Sequence, residues 1–179
     1  MEKFRYKYFM RTIEVDVSKE AVSHRGKMLN ANEITGFGIE LIPTTRMAGM
    51  NAGGAIGGLI SYKMTKKRYD KFDGELNKTA PFSEIPDKMA NLVIAYKKMD
   101  QPPEAKAKAL YATLNTKDPE CLRMLNTLKK YYGSKYVGIG MTGKVTKALN
   151  VSMAAMIIVI ITVVVIVTAI IVVAAIANS

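Results

Sequence analysis

The residues with the strongest claim to chemistry lie in "GIGMTGKVTKALN", Gly138 to Asn150. Gly138-x-Gly140-x-x-Gly143 has the spacing of a dinucleotide fingerprint, and Gly138-xxxx-Gly143-Lys144 has most of a P-loop. Either would set backbone N–H groups and a lysine around phosphates at the start of a helix. A P-loop needs a hydroxyl after its lysine to ligate magnesium, and Val145 has none. Both motifs also need a strand–helix–strand unit with more sheet beyond it. Here only Val145 to Asn150 stand before a long apolar run, and no acidic residue follows to hold a ribose. The sequence therefore argues against a nucleotide, and no cofactor is expected.

Other reactive groups are sparse. Cys121 is the one cysteine, so no disulfide forms within the chain, and its amphipathic surroundings suit a small buried apolar residue. His24 is the one histidine, and with a single cysteine it makes a zinc site only if carboxylates supply most ligands. Glu14, Asp16, Asp70, Asp73 and Glu75 are interleaved with Lys or Arg and read as solvated ion pairs. No nucleophile–base arrangement stands out. Catalytic, cofactor-binding and metal-ligating residues are all expected to be absent.

The apolar run is "VSMAAMIIVIITVVVIVTAIIVVAAIA", Val151 to Ala177, with no charge, Pro or Gly. As a helix at about 1.5 Å per residue it exceeds the roughly 30 Å of a bilayer's hydrocarbon. From Ile157 to Val173 fourteen of seventeen residues are Ile or Val, which favours insertion over solvation. The expectation is one C-terminal transmembrane helix over 151–177, a single-pass, tail-anchored topology. All 26 basic and 15 acidic residues precede it, for a net charge of +11. No acid follows Glu120, while six lysines and arginines do, so positive-inside reasoning puts residues 1–150 in the cytosol and the C-terminus outside or in a lumen. The N-terminus lacks the apolar core of a secretory signal.

On this reading the stretch before the span is a basic juxtamembrane region and a glycine hinge, 137–150. Lys129, Lys130, Tyr131, Tyr132, Lys135 and Tyr136 join Lys144 and Lys147 as expected contacts to anionic lipid head groups. Basic residues with aromatics can also track nucleic acid, but the adjoining apolar run favours the bilayer as partner. A second unusual stretch, 46–64, spaces Gly49, Gly53 and Gly57 by four, and Gly54 and Gly58 likewise. On a helix this is a glycine zipper, a smooth ridge for close helix packing. It reads as a loop, a packed helix or a membrane-interfacial segment, and is compatible with a homo-oligomer.

The elements needed to position these residues are expected as follows. Residues 1–45 form a mixed strand and helix region: one or two strands within 3–17, a short helix capped by Ser18 running to about Leu29, and a strand over Ile34 to Ile42. Residues 65–136 form a basic helical region with a turn at Asp73-Gly74 and about three helices. Ile85, Met89, Val93, Tyr96 and Met99 fall on one face of a helix near 84–99. Pro102-Pro103-Glu104 opens a second helix to Leu114. The third has Asp118 as N-cap, Pro119 at N1, Glu120 in its first turn and Gly133 as its stop. The fold class expected is mostly α with a small N-terminal β element (α+β), followed by the transmembrane helix. The function expected is a non-catalytic scaffold, adaptor or assembly factor with an unidentified protein partner at the membrane surface. The alternative is an oligomeric membrane component, such as a pore subunit or a viral membrane protein.

Overall fold

The computed structural model describes residues 1–42, 72, 74–85, 90–102, 104–141 and 143–151. Among them, eight strands form two four-stranded sheets. The first sheet is a meander: β1 (Glu2–Tyr8), β2 (Arg11–Val17), β3 (Ala21–His24) and β4 (Lys27–Asn30), each antiparallel to the next. The second has the order β7-β6-β5-β8, from β5 (Ile34–Leu41), β6 (Ala90–Tyr96), β7 (Lys108–Leu114) and β8 (Tyr136–Met141). β5, β6 and β7 are antiparallel neighbours, and β8 lies parallel to β5. Two α-helices lie wholly within the described residues, α1 (Pro119–Tyr132) and the five-residue α2 (Lys144–Ala148).

Alternation in β1 and β2 follows the period of a half-buried sheet. Phe4, Tyr6, Ile13, Val15 and Val17 point inward, while Lys3, Arg5, Lys7, Thr12 and Glu14 face solvent. On the outer face Arg5 pairs with Glu14 at 2.9 Å, a solvated ion pair of the kind the charge interleaving implies. The inner face packs with α1 and one face of the second sheet into one large core that includes Phe37, Ile39, Leu92, Leu114, Met124 and Leu128. The opposite face of the second sheet carries a smaller core, in which Val93, Ala95 and Ala107 meet Val145, Leu149 and Val151. Both faces of β5 and β6 are thus covered, which explains the nearly continuous apolar run Leu92 to Tyr96 in β6.

Several expectations are corrected. The fold is mainly β, not mostly α. Residues 90–96 are a strand because "ANLVIAY" buries Leu92 and Ile94 on one face and Val93 and Ala95 on the other; the helical spacing of Val93 and Tyr96 is coincidental. Lys108–Leu114 pairs along the whole of β6 instead of continuing a helix from Pro102. Ser18 caps no helix. Its hydroxyl accepts the Glu20 and Ala21 N–H groups, and this local turn feeds β3 directly. Strands within 3–17 and over 34–41 are as expected, and so is α1.

The single-pass, tail-anchored, integral-membrane reading is corrected as well. No helix of the described residues is long and apolar enough to cross a membrane. What was expected to be a juxtamembrane hinge is β8 and α2, built into the second sheet and its core. Val151, expected to open the span, is buried in that same core and bridges to Ala107, whose N–H donates to the Asn150 carbonyl at 3.0 Å. Residues 152–177 of the expected span lie outside the described residues. So do 46–64, and with them Gly49, Gly53, Gly54, Gly57 and Gly58.

Candidate functional site

The glycine motif occupies a strand–turn–helix, the local setting in which such motifs hold phosphate. β8 delivers Gly138 and Gly140, and Gly143, at φ +87°, caps α2. Each glycine has an internal reason. Gly138 has φ +118°, and a Cβ there would lie 3.0 Å from the Asn77 backbone, which pairs with Ile139 along the outer edge of β8. A Cβ on Gly140 would meet the Leu76 side chain at 2.5 Å. Gly143 supplies the left-handed turn that only glycine adopts without strain, and its N–H is already engaged.

That N–H donates to a carboxylate oxygen of Glu40 at 2.7 Å. Glu40 is buried near the C-terminal end of β5, on the face turned to α2, and Thr146 also bonds its side chain. Burial pushes its carboxyl above the ordinary carboxylate range; the two hydrogen bonds oppose the shift without cancelling it. The position where an incoming phosphate would seek an N–H is therefore filled by the chain's own acid. Lys144 reaches back instead, its Nζ donating to the Gly74 carbonyl at 2.7 Å. Val145 is fully buried in the smaller core. The chemistry of this junction is packing and internal capping.

The other ionisable groups below the surface are also built in. The Tyr6 hydroxyl donates to the Thr113 carbonyl at 2.9 Å, and burial raises it far above the usual phenol range. Cys121 is buried beside it in α1, and burial pushes its thiol up to about 12. The His24 Nδ1 lies 2.7 Å from the Glu14 carbonyl, and since a carbonyl only accepts, Nδ1 carries the hydrogen.

The residues assigned from sequence to a lipid collar part ways. Tyr132 and Tyr136 are buried in the large core, and the Tyr132 hydroxyl donates to the Ser18 carbonyl at 2.8 Å. Lys135 bridges the Ala31 and Ile34 carbonyls, both at 2.7 Å, where β5 begins. The Tyr131 hydroxyl donates to Glu2 at 2.9 Å. Lys144 and Lys147 are exposed on α2. Lys129 and Lys130 end α1, the former 5.0 Å from the Tyr136 ring centroid and the latter 5.7 Å from that of Tyr131.

The exposed face of α1 is where those two lysines gain company. α1 buries Cys121, Met124, Leu125, Leu128 and Tyr132 against β1 and β2. The opposite stripe, spaced three and four apart, is Pro119, Leu122, Arg123, Asn126, Thr127 and Lys130, and it lines a shallow groove of about 420 Å³. A second depression of about 170 Å³ joins it at Leu122 and Asn126 and continues to Lys129 and the 80–83 segment, with Pro81 and Phe82 in its wall. Arg123 is held in place by Glu120 at 3.0 Å and by the Phe4 ring at 5.1 Å. The result is a half-apolar floor with a mostly cationic rim. Leu122 is only partly buried: one side packs against the large core and the other lines the groove. No protein-family model, no curated sequence and no solved structure matches the chain.

Proposed function

We propose that this chain is a non-catalytic scaffold or adaptor domain that holds an acidic, amphipathic segment of a protein partner along the exposed face of α1. One observation carries the reading: Leu122, with Pro81 and Phe82 beyond it, forms an apolar floor flanked by Arg123, Lys129 and Lys130. Apolar anchors in such a groove supply affinity, and a cationic rim supplies orientation and association rate. The engagement of Glu40, Tyr6 and Cys121 in internal contacts supports binding over chemistry.

The test is selection of displayed random peptides on the full chain. Enriched peptides should combine acidic and apolar residues, and should lose at least about tenfold in affinity to an Arg123→Glu/Lys130→Glu chain of unchanged melting temperature. Peptides that lack acids, or that bind both chains equally, would overturn the reading.

A further inference from the structure

The first sheet has two hairpin tips at one end that obey opposite rules, the β1–β2 tip reaching past the β3–β4 tip. β3 and β4 are joined by Arg25-Gly26, with φ +50° and +73°. Both residues sit on the left-handed side, as in the tight turns that match strand twist, and glycine takes one of them. β1 and β2 are joined by Phe9-Met10, between the paired Tyr8 and Arg11. Phe9 stands at φ +51°, a conformation that side chains as bulky as Phe seldom adopt and that glycine would fill freely.

The tip is unfavourable in a second way. Phe9 is 73% exposed and Met10 is 102% exposed. The Phe9 ring leans edge-on against Tyr8, with centroids 4.8 Å apart, and stays exposed there. Two large apolar side chains in water and a bulky residue in a left-handed turn both work against folding. A break of local rules at so exposed a tip points to a use outside the fold.

The surroundings say what kind. Lys7 and Arg11 flank the tip on opposite faces of the ribbon, and Arg25 stands on the neighbouring tip. Arg11 and Arg25 line a cleft of about 500 Å³ between the two hairpins. The acids of this pole are largely committed: Glu14 pairs with Arg5, and Asp118 accepts the backbone N–H groups of Lys7 and Glu120. Asp16 also lines the cleft, on the outer face of the sheet.

We propose that the β1–β2 tip dips Phe9 and Met10 into the interfacial zone of an anionic lipid surface, with Lys7 and Arg11 at the head groups and Arg25 set farther back. Aromatic and thioether side chains suit that zone, and basic residues near it are attracted by anionic lipid. Nucleic acid fits less well. Tracking a phosphate chain needs an unpaired basic face, and the outer face of this sheet sets Arg5 against Glu14 and Lys3 opposite Asp16. The contact is peripheral and stands apart from the groove on α1.

The chain contains no tryptophan, so Phe9→Trp in the full chain places a sole reporter at the tip, however the rest of the chain associates. With vesicles of phosphatidylcholine and phosphatidylserine, emission should shift to the blue and be quenched by brominated acyl chains. With phosphatidylcholine alone it should stay near its value in buffer. Met10→Trp should behave alike and guards against a perturbed Phe9 site. Emission unchanged by both vesicle types overturns the proposal, as does equal response to both, or response to a single-stranded oligonucleotide alone. The α1 peptide selection is unaffected by any of these outcomes.

Discussion

The buried carboxylate of Glu40 accepts the backbone N–H of Gly143 at 2.7 Å, tying the C-terminal end of β5 to the turn that opens α2. Burial holds this carboxyl above its ordinary value, so the folded chain binds its proton more tightly than the unfolded chain does. The group's stabilising contribution is then complete below about pH 4.3, the unfolded value, and is lost as pH rises through the elevated folded value. Thermal melts across that range should show Glu40→Gln gaining on the native chain as pH increases. Glu40→Gln losing ground to the native chain as pH rises would mean that the bonds from Gly143 and Thr146 outweigh desolvation.

The glycines of β5 face α2, and close approach demands them. A Cβ on Gly38 would lie 2.7 Å from both Val137 and Val145 side chains and 3.0 Å from the Gly138 carbonyl oxygen. Gly38→Ala should cost about 1–3 kcal/mol by overpacking. Gly133, with helical φ −57° and open space at its Cβ position, is the control: Gly133→Ala should be neutral or gain about 0.5–1 kcal/mol. Denaturant unfolding of the two variants separates the cases.

Asp118 serves two chains of contacts at once, capping α1 through Glu120 N–H at 3.0 Å and holding Lys7 N–H at 3.3 Å near the tip of β1. Asp118→Ala should lose about 1 kcal/mol, and Asp118→Asn most of a unit less, since an amide oxygen still caps. Equal losses for the two would show that charge rather than capping geometry dominates.

Lys135 clamps the entry to β5 by donating to the carbonyls of Ala31 and Ile34. Lys135→Met keeps the aliphatic stem and removes both bonds. Charged hydrogen bonds are worth about 1.5–3 kcal/mol each at most, less where water can replace them. Hydrogen exchange should accelerate first at the start of β5. Uniform acceleration over both sheets would instead mark Lys135 as a global stabiliser.

If the Phe9 turn is strained for reasons outside the fold, Phe9→Gly should raise stability by about 1 kcal/mol or more, relieving the left-handed backbone. A drop in melting temperature would show that the ring's contact with Tyr8 matters more to the fold than its backbone does.

How far these features were legible follows the range of the interactions behind them. α1 could be read to the residue because Asp118, Pro119 and Glu120 act on their own helix end. β1 and β2 could be read because alternation is local. β6 could not: a strand covered on both faces loses its period of two, and Val93 and Tyr96 then imitate a helix. β8 and α2 failed for another reason. Gly138, Gly140 and Gly143 are explained by Asn77, Leu76 and Glu40, and no spacing rule links residues so far apart. The groove on α1 was not legible: Lys129 and Lys130 were assigned to lipid head groups, and the segment around Phe82 that meets α1 is far away in sequence. The β1–β2 tip carried no signal at all, since Phe-Met is not turn chemistry.

β8 lies beside β5, pairing Phe37 with Tyr136 and Leu41 with Met141. About a hundred residues separate the partners, so the second sheet cannot close until nearly all of the described chain has been made. A ribosome adding about 5–20 residues per second would leave one edge of β5 waiting for several seconds. During that interval the first sheet can zip up from neighbouring hairpins while its inner face still lacks α1. Nascent chains arrested before Tyr136 should therefore be sensitive to protease throughout the second sheet, and chains released after Val151 should resist it.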